Sequence, residues 1–243
     1  MREIDLKQPF ESAYFRDYYA NYRNRLSDLF ASERRFISEF IVDGTSCLDI
    51  GCALGGMFDI LLSLQAGLQY TGVDISPKLL AEAERLHPAG SFRVQDGAQL
   101  PFADRSYQRV ITLGTTVHDQ NYRMVLSEAW RVTDEKLLFD IRLTSEKEVC
   151  SLRDGYVEDG AGMHYPYVVA NAAEFVSWIA ALPDLGSVKA YGYWGSANRE
   201  TTLPQGYSDI CMTCVLLEKR RPDIVHDISP VWLLDLPLPV QHP

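Results

Sequence analysis

Leu48-Asp-Ile-Gly-Cys-Ala-Leu-Gly-Gly56 is the stretch that decides the fold of this 243-residue chain. An apolar strand, Ser46 to Ile50, enters a glycine-containing turn and then a helix carrying Met57, Phe58, Ile60, Leu61 and Leu62. Gly51 has no Cβ, so a ligand can lie against the backbone there. Gly55 and Gly56 permit a tight turn and close entry into the helix. Downstream, short apolar strands alternate with helices, the signature of a parallel sheet covered on both faces. The further strands fall at Gln69 to Val73, Ser91 to Val94, Tyr107 to Leu113, Glu135 to Arg142, Ser187 to Tyr193 and Ile210 to Leu217.

Helices are expected between these strands, giving five β-α units. The best marked has Ser76 as N-cap and Pro77 at its first position, and closes at His87-Pro88. Others cover about Asn121 to Arg131 and Ala172 to Leu182, the latter capped by Asn171. The last two strands are joined by a long loop without a helix and so pair as an antiparallel hairpin at one sheet edge. Upstream, Tyr14, Tyr18, Tyr22, Leu26, Leu29, Phe30, Ile37 and Ile41 recur mostly at helical spacing, so residues 10–42 read as helix with one or two breaks. The fold class is therefore α/β: a Rossmann-like, doubly wound, seven-stranded sheet, mostly parallel, with an antiparallel C-terminal hairpin.

Composition agrees with an ordinary globular protein: 47% hydrophobic and 23% charged. The net charge of −10, from 33 acidic and 23 basic residues, lacks the basic footprint of a nucleic-acid binder. Neither an apolar run of membrane-spanning length nor a secretion signal is legible, so a cytoplasmic protein without a membrane role is expected. The five cysteines are odd in number and sit in hydrophobic segments. Cys211-Met-Thr-Cys214 has CxxC spacing but lies in a strand, which points residues i and i+3 to opposite faces. No metal site is expected.

Two further strand ends sharpen the ligand. Asp74, at the end of the second strand, stands where doubly wound sheets meet ribose hydroxyls. Asp96, in Gln95-Asp-Gly-Ala98 after the third, can accept from an amino group on a base. A dinucleotide fingerprint needs a middle glycine, and here that position is Ala53. Asp49, just before Gly51, would repel a diphosphate but suits an ammonium group. S-adenosylmethionine carries that ammonium and no phosphate, whereas an NAD(P)-dependent oxidoreductase fits the motif less well.

With these residues the chain resembles the class I S-adenosylmethionine-dependent methyltransferases, in the small-molecule, ubiquinone/menaquinone-biosynthesis-like type 11 branch. The resemblance covers about residues 44–143 by motif. It implies that Leu48 to Gly55 is the family's first motif, that Asp74 holds the ribose with Ile75 against the adenine, and that Asp96, Gly97 and Ala98 contact the base. It further implies that Gly114 borders the cofactor and that an N-terminal helix closes the pocket, where Tyr14 or Tyr18 could face the sulfonium. Gln108 stands where the family commonly has Asp. No Asn-Pro-Pro-Tyr segment follows the fourth strand, so the resemblance does not extend to the enzymes that carry it.

The catalytic candidates follow from the chemistry. Methyl transfer needs alignment and exclusion of water, and a hydroxyl acceptor also needs a base. His118, directly after the fourth strand, is the candidate base, or else it merely belongs to a helix cap. Asp119 is a substrate-binding candidate or an N-cap. Arg142, ending the fifth strand, could hold an acidic substrate group or simply pair with a carboxylate. The long connection from Thr144 to Ala170 carries His164, Tyr165 and Tyr167 as a candidate substrate cap.

The expectation is one domain over 1–243: a helical lid (1–43), a cofactor-binding half (44–143), a substrate cap (144–170), a helix with the hairpin (171–220) and an extended tail (221–243). Its function would be metal-independent methyl transfer to a hydroxyl or amine of a small molecule, such as a sugar, nucleotide-sugar or secondary metabolite. A non-catalytic partner subunit is the alternative, and the apolar tail leaves a homodimer open.

Overall fold

The computed structural model describes residues 9–159, 162–207, 210–220 and 229–240. Its central sheet is built on five strands that run parallel: β1 (Ser46–Ile50), β2 (Gln69–Asp74), β3 (Ser91–Val94), β4 (Tyr107–Thr112) and β5 (Thr133–Thr144). A second sheet holds β6 (Tyr156–Glu158) and β7 (His164–Pro166), and β8 (Ala170–Asn171) returns to pair with β5. Then follow β9 (Leu185–Gly195), β10 (Thr201–Thr202), β11 (Ile210–Lys219) and β12 (Val231–Asp235). Among the described residues the large sheet has nine strands, in the order β12-β9-β11-β5-β4-β1-β2-β3 with β8 off that path.

β11 is antiparallel to both β5 and β9, as the long loop between the last two expected strands requires. The count exceeds the expected seven because tail residues 231–235 add a parallel edge strand outside β9 and because β8 is a two-residue addition. β12 alternates: Trp232 and Leu234 pack on the core while Val231 and Leu233 face out. Residues 221–228 and 241–243 of the expected tail, and 1–8 of the expected lid, lie outside the described residues.

The helices are α1 (Ala13–Asn21), α2 (Ala31–Phe40), α3 (Gly56–Leu64), α4 (Pro77–Leu86), α5 (Tyr122–Val132) and α6 (Ala172–Ala180). α4 starts where the sequence places it, with the Ser76 hydroxyl accepting from the Leu79 amide. The expected helix between β3 and β4 is not formed: residues 95–106 make turns instead. Gly97 and Pro101 interrupt any helical period there, and the segment's main apolar anchor, Leu100, drops into the core.

Two apolar layers cover the sheet. Leu48, Ile50, Phe139 and Ile141 pack with Trp130 of α5 and Phe175 of α6 on one face. Cys47, Ile111 and Leu138 pack with Phe36 and Phe40 of α2 and Ile60 and Leu61 of α3 on the other. Each such fully buried side chain is worth roughly 1.5–3 kcal/mol. Cys211 belongs to the first layer and Cys214 to the second, so the CxxC pair is split across the sheet as strand geometry demands. The chain leaves β1 for β2 and β3 on one side and returns to β4 on the other, so the sheet's topological switch opens at the carboxyl ends of β1 and β4.

Candidate active site

Three cavities open around that switch point. The first is about 140 Å³ and is bordered by Gly51, Ala53, Asp74, Ile75, Asp96 and Asn121, with Gly97, Ala98, Gly114 and His118 also on its wall. A small recess beside it is lined by Asp49, Gly51, Ala53 and Arg23. The third, about 250 Å³, is walled by Tyr14, Tyr18, Phe30, Val157 and Tyr167, with Arg142 among them. The first and third share Tyr19, Leu113, Gly114 and His118.

The β1–α3 turn is shaped from both sides. Gly51 has φ +77°, and a Cβ there would lie 2.0 Å from the Thr115 hydroxyl, which itself donates to the Ile50 carbonyl. Ala53 takes φ +47°, an uncommon conformation for a residue with a Cβ, and its amide donates to Asp74 Oδ2 at 3.0 Å. Asp74 Oδ1 accepts from the Ser76 amide at 2.9 Å. Burial raises the Asp74 carboxyl above its ordinary range, and these backbone donors oppose that shift. The carboxylate therefore stands fixed on the wall of the first cavity, facing Asp96, whose Oδ1 accepts from the Ala98 amide.

Asp49 is buried and accepts from the Tyr70 hydroxyl at 2.6 Å. Burial pushes its carboxyl up to about 7, more than the Tyr70 hydrogen bond pulls it down. Across the recess, Arg23 is tied to Glu33, its Nη1 donating to both carboxylate oxygens at 3.0 and 2.9 Å. Glu33 also accepts from the Phe30 amide.

Behind Gly114, where the first and third cavities meet, lies Asp140. It is buried within β5, accepts from the Gly114 amide at 2.7 Å through Oδ1 and from Arg142 Nη1 at 2.9 Å through Oδ2. His118 follows in a single 3₁₀ turn, Thr116–His118, with its Nδ1 3.0 Å from the Pro166 carbonyl. A carbonyl only accepts, so Nδ1 carries the proton and Nε2 keeps its lone pair. Burial lowers the pKa of His118, and the charge of Arg142 lowers it further, so the imidazole stays neutral at neutral pH.

Residues 48–136 match a family described as a methyltransferase domain. The match covers well under half of the chain. The chain is 33% identical over 91 residues to norajmaline N-methyltransferase of Rauvolfia serpentina, covering 35% of this chain and 31% of that one. It is 32% identical over 105 residues to demethylmenaquinone methyltransferase of Thermotoga maritima, covering 42% and 46%. The match thus spans less than half the length of these curated relatives. Among solved structures, a SAM-dependent methyltransferase of Methanosarcina mazei superposes with TM-score 0.55 at 17% identity, over 79% of this chain and 98% of that one. That similarity extends the methyltransferase fold well beyond the matched segment.

The sequence-derived site residues fall into three groups. Gly51, Asp74, Ile75, Asp96, Gly97, Ala98, Gly114, His118 and Asp119 surround the first cavity, and Asp49 the recess beside it. Asp119, expected on the substrate side, instead borders the first cavity, and its Oδ1 accepts from the Asn121 amide. Tyr14, Tyr18 and Arg142 line the third cavity rather than the first.

The third group is not brought to the cavities. His164 is exposed, pairs with Glu158 and stacks on Tyr156 at 4.2 Å. Tyr165 is fully buried: its ring packs on Phe15 at 4.6 Å and its hydroxyl donates to Asp159 at 2.9 Å. Adjacent residues of a strand face opposite sides, so β7 cannot present both. From the same segment Tyr167 reaches the cavity wall.

Sequence reasoning missed Tyr19, Phe10 and Arg23. Of the Tyr14-Tyr18-Tyr22 stripe, Tyr14 and Tyr18 reach only the third cavity and Tyr22 is left 58% exposed, while on a neighbouring stripe of the same helix Phe15 is buried and Tyr19 borders both cavities. The i, i+4 spacing of Phe15 and Tyr19 was a signal equally present in the sequence. Among the described residues no group of three or more His, Cys, Asp or Glu side chains could hold a metal, and no helix is long and apolar enough to cross a membrane.

Proposed function

We propose that this chain transfers a methyl group from S-adenosylmethionine to a hydroxyl or amine of a small molecule. The observation that carries the reading is the junction of two chambers of different character at Gly114 and His118. The first fits the nucleoside: Gly51 and Gly97 let Thr115 and Ile50 pack where a Cβ would clash, which sets the shape of the wall, and Asp74 and Asp96 stand as acceptors for ribose hydroxyls and an amino group. Asp49 in the recess suits the ammonium of the methionine portion. When bound, S-adenosylmethionine supplies a methyl carbon on a cationic sulfur, which keeps the C–S electron pair as the acceptor's lone pair forms the new bond.

In this reading the protein supplies alignment and a proton acceptor. Gly114, held by Asp140, lies on the wall the chambers share, and α1 with Phe10 lines them from the N-terminal side. A hydroxyl acceptor gives its proton to Nε2 of His118, whose neutral tautomer is set by Pro166, whereas an amine need only arrive neutral. The buried free cysteines are consistent with a cytoplasmic location. Thermal denaturation tests the cofactor: S-adenosylhomocysteine should raise Tm by several degrees and NAD should not. Asp74→Ala should weaken S-adenosylhomocysteine binding at least tenfold in calorimetry, and undiminished affinity would overturn the site assignment.

A further inference from the structure

The third chamber contains a charge that methyl transfer alone does not require. Arg142 is 5% exposed, at the end of β5, and its guanidinium lies 5.3 Å over the Phe30 ring. Among the described residues only one of its five N–H bonds has a partner: Nη1 donates to Asp140, while Nε is buried without one. The other oxygen of Asp140, Oδ1, accepts from the Gly114 amide. Glu33, the other buried carboxylate nearby, is occupied by Arg23 and the Phe30 amide. A buried donor left unmade, as Nε is, costs on the order of 1–3 kcal/mol.

We propose that the chamber binds the carboxylate of a small ring-bearing acid, with the free edge of Arg142 as its anchor. A carboxylate matches the planar donor fork of Arg in shape and charge, which a neutral sugar hydroxyl does not. Tyr14, Tyr18, Phe30 and Tyr167 supply flat apolar walls for the ring. The acid is thereby held at one end by Arg142, with its hydroxyl or amine free to lie at the His118 and Gly114 junction. The proposal rests on the methyl-transfer reading and names the acceptor class for it.

Calorimetric titration of the full chain saturated with S-adenosylhomocysteine tests it, using three acid–amide pairs: benzoate and benzamide, 4-hydroxybenzoate and 4-hydroxybenzamide, cinnamate and cinnamamide. At least one acid should bind tenfold or more tightly than its amide. Arg142→Gln should bring that ratio close to one while S-adenosylhomocysteine still binds. Because this change leaves Asp140 buried without its cation, the double variant Asp140→Asn/Arg142→Gln replaces it if the single variant does not fold. No acid outbinding its amide, or a preference that survives loss of Arg142, would overturn the proposal. Should S-adenosylhomocysteine itself fail to bind, the methyl-transfer reading falls, and the same acid–amide comparison on the ligand-free protein still judges the chamber.

Discussion

Asp49 combines two properties seldom found together: a wall position in a recess and a carboxyl that burial holds near pH 7. An incoming ammonium favours its charged form, so at pH 6 binding of S-adenosylhomocysteine should release up to one proton, falling toward none by pH 8. Calorimetry in buffers of different ionisation heat reads this directly, and Asn at position 49 should abolish it. Without ligand the linkage has the opposite sense. The folded protein holds this proton more tightly than the unfolded chain, so the stability Asp49 contributes is lost as pH rises through about 7. At this scale the sequence located the cavity-lining carboxylates Asp49, Asp74 and Asp96, because each follows an apolar run near a strand end. It could not choose between Tyr18 and Tyr19, because both helical stripes are aromatic and only packing against Phe10 and Tyr165 turns one of them inward.

Among the elements, α4 shows how local signals and long-range contacts share one residue. Ser76 caps the helix through the Leu79 amide, as Ser before Pro announces, but its hydroxyl also donates to Glu11 at 2.9 Å. Lys78 reaches the other oxygen of Glu11 at 2.6 Å, so the start of α4 fastens the N-terminal segment over the first cavity. Ser76→Ala should therefore lower stability by about 1–2 kcal/mol in urea unfolding, a cap's usual worth. It should also weaken S-adenosylhomocysteine binding, which loss of a cap alone would not explain. The missing helix between β3 and β4 shows the limit of element-level reading: alternation of strands implies a crossover, but its conformation follows from Gly97, Pro101 and the burial of Leu100.

For the whole molecule, the decisive contact is between the N-terminal segment and the glycine-rich turn. Arg23, in a left-handed conformation at φ 70°, crosses Gly56 so closely that a Cβ there would lie 2.4 Å from the Arg23 carbonyl oxygen. Gly56→Ala should displace residues 9–28, lowering stability by roughly 1–3 kcal/mol, the usual cost of overpacking. Trypsin should then cleave faster after Arg16 and Arg25, and an unchanged cleavage rate would show that the crossing is not held by this contact. The sequence by itself determined the parallel sheet, the split of Cys211 from Cys214 and the strand-end carboxylates, because strand periodicity and glycine-bearing turns are local properties. Only the tertiary structure decided that Arg142 is left with unused donors, that His164 and Tyr165 turn away from the cavities, and that Gly56 faces another segment's backbone. Those outcomes depend on which distant surfaces meet, and no spacing along the chain encodes a contact between residues 23 and 56 or between 140 and 114.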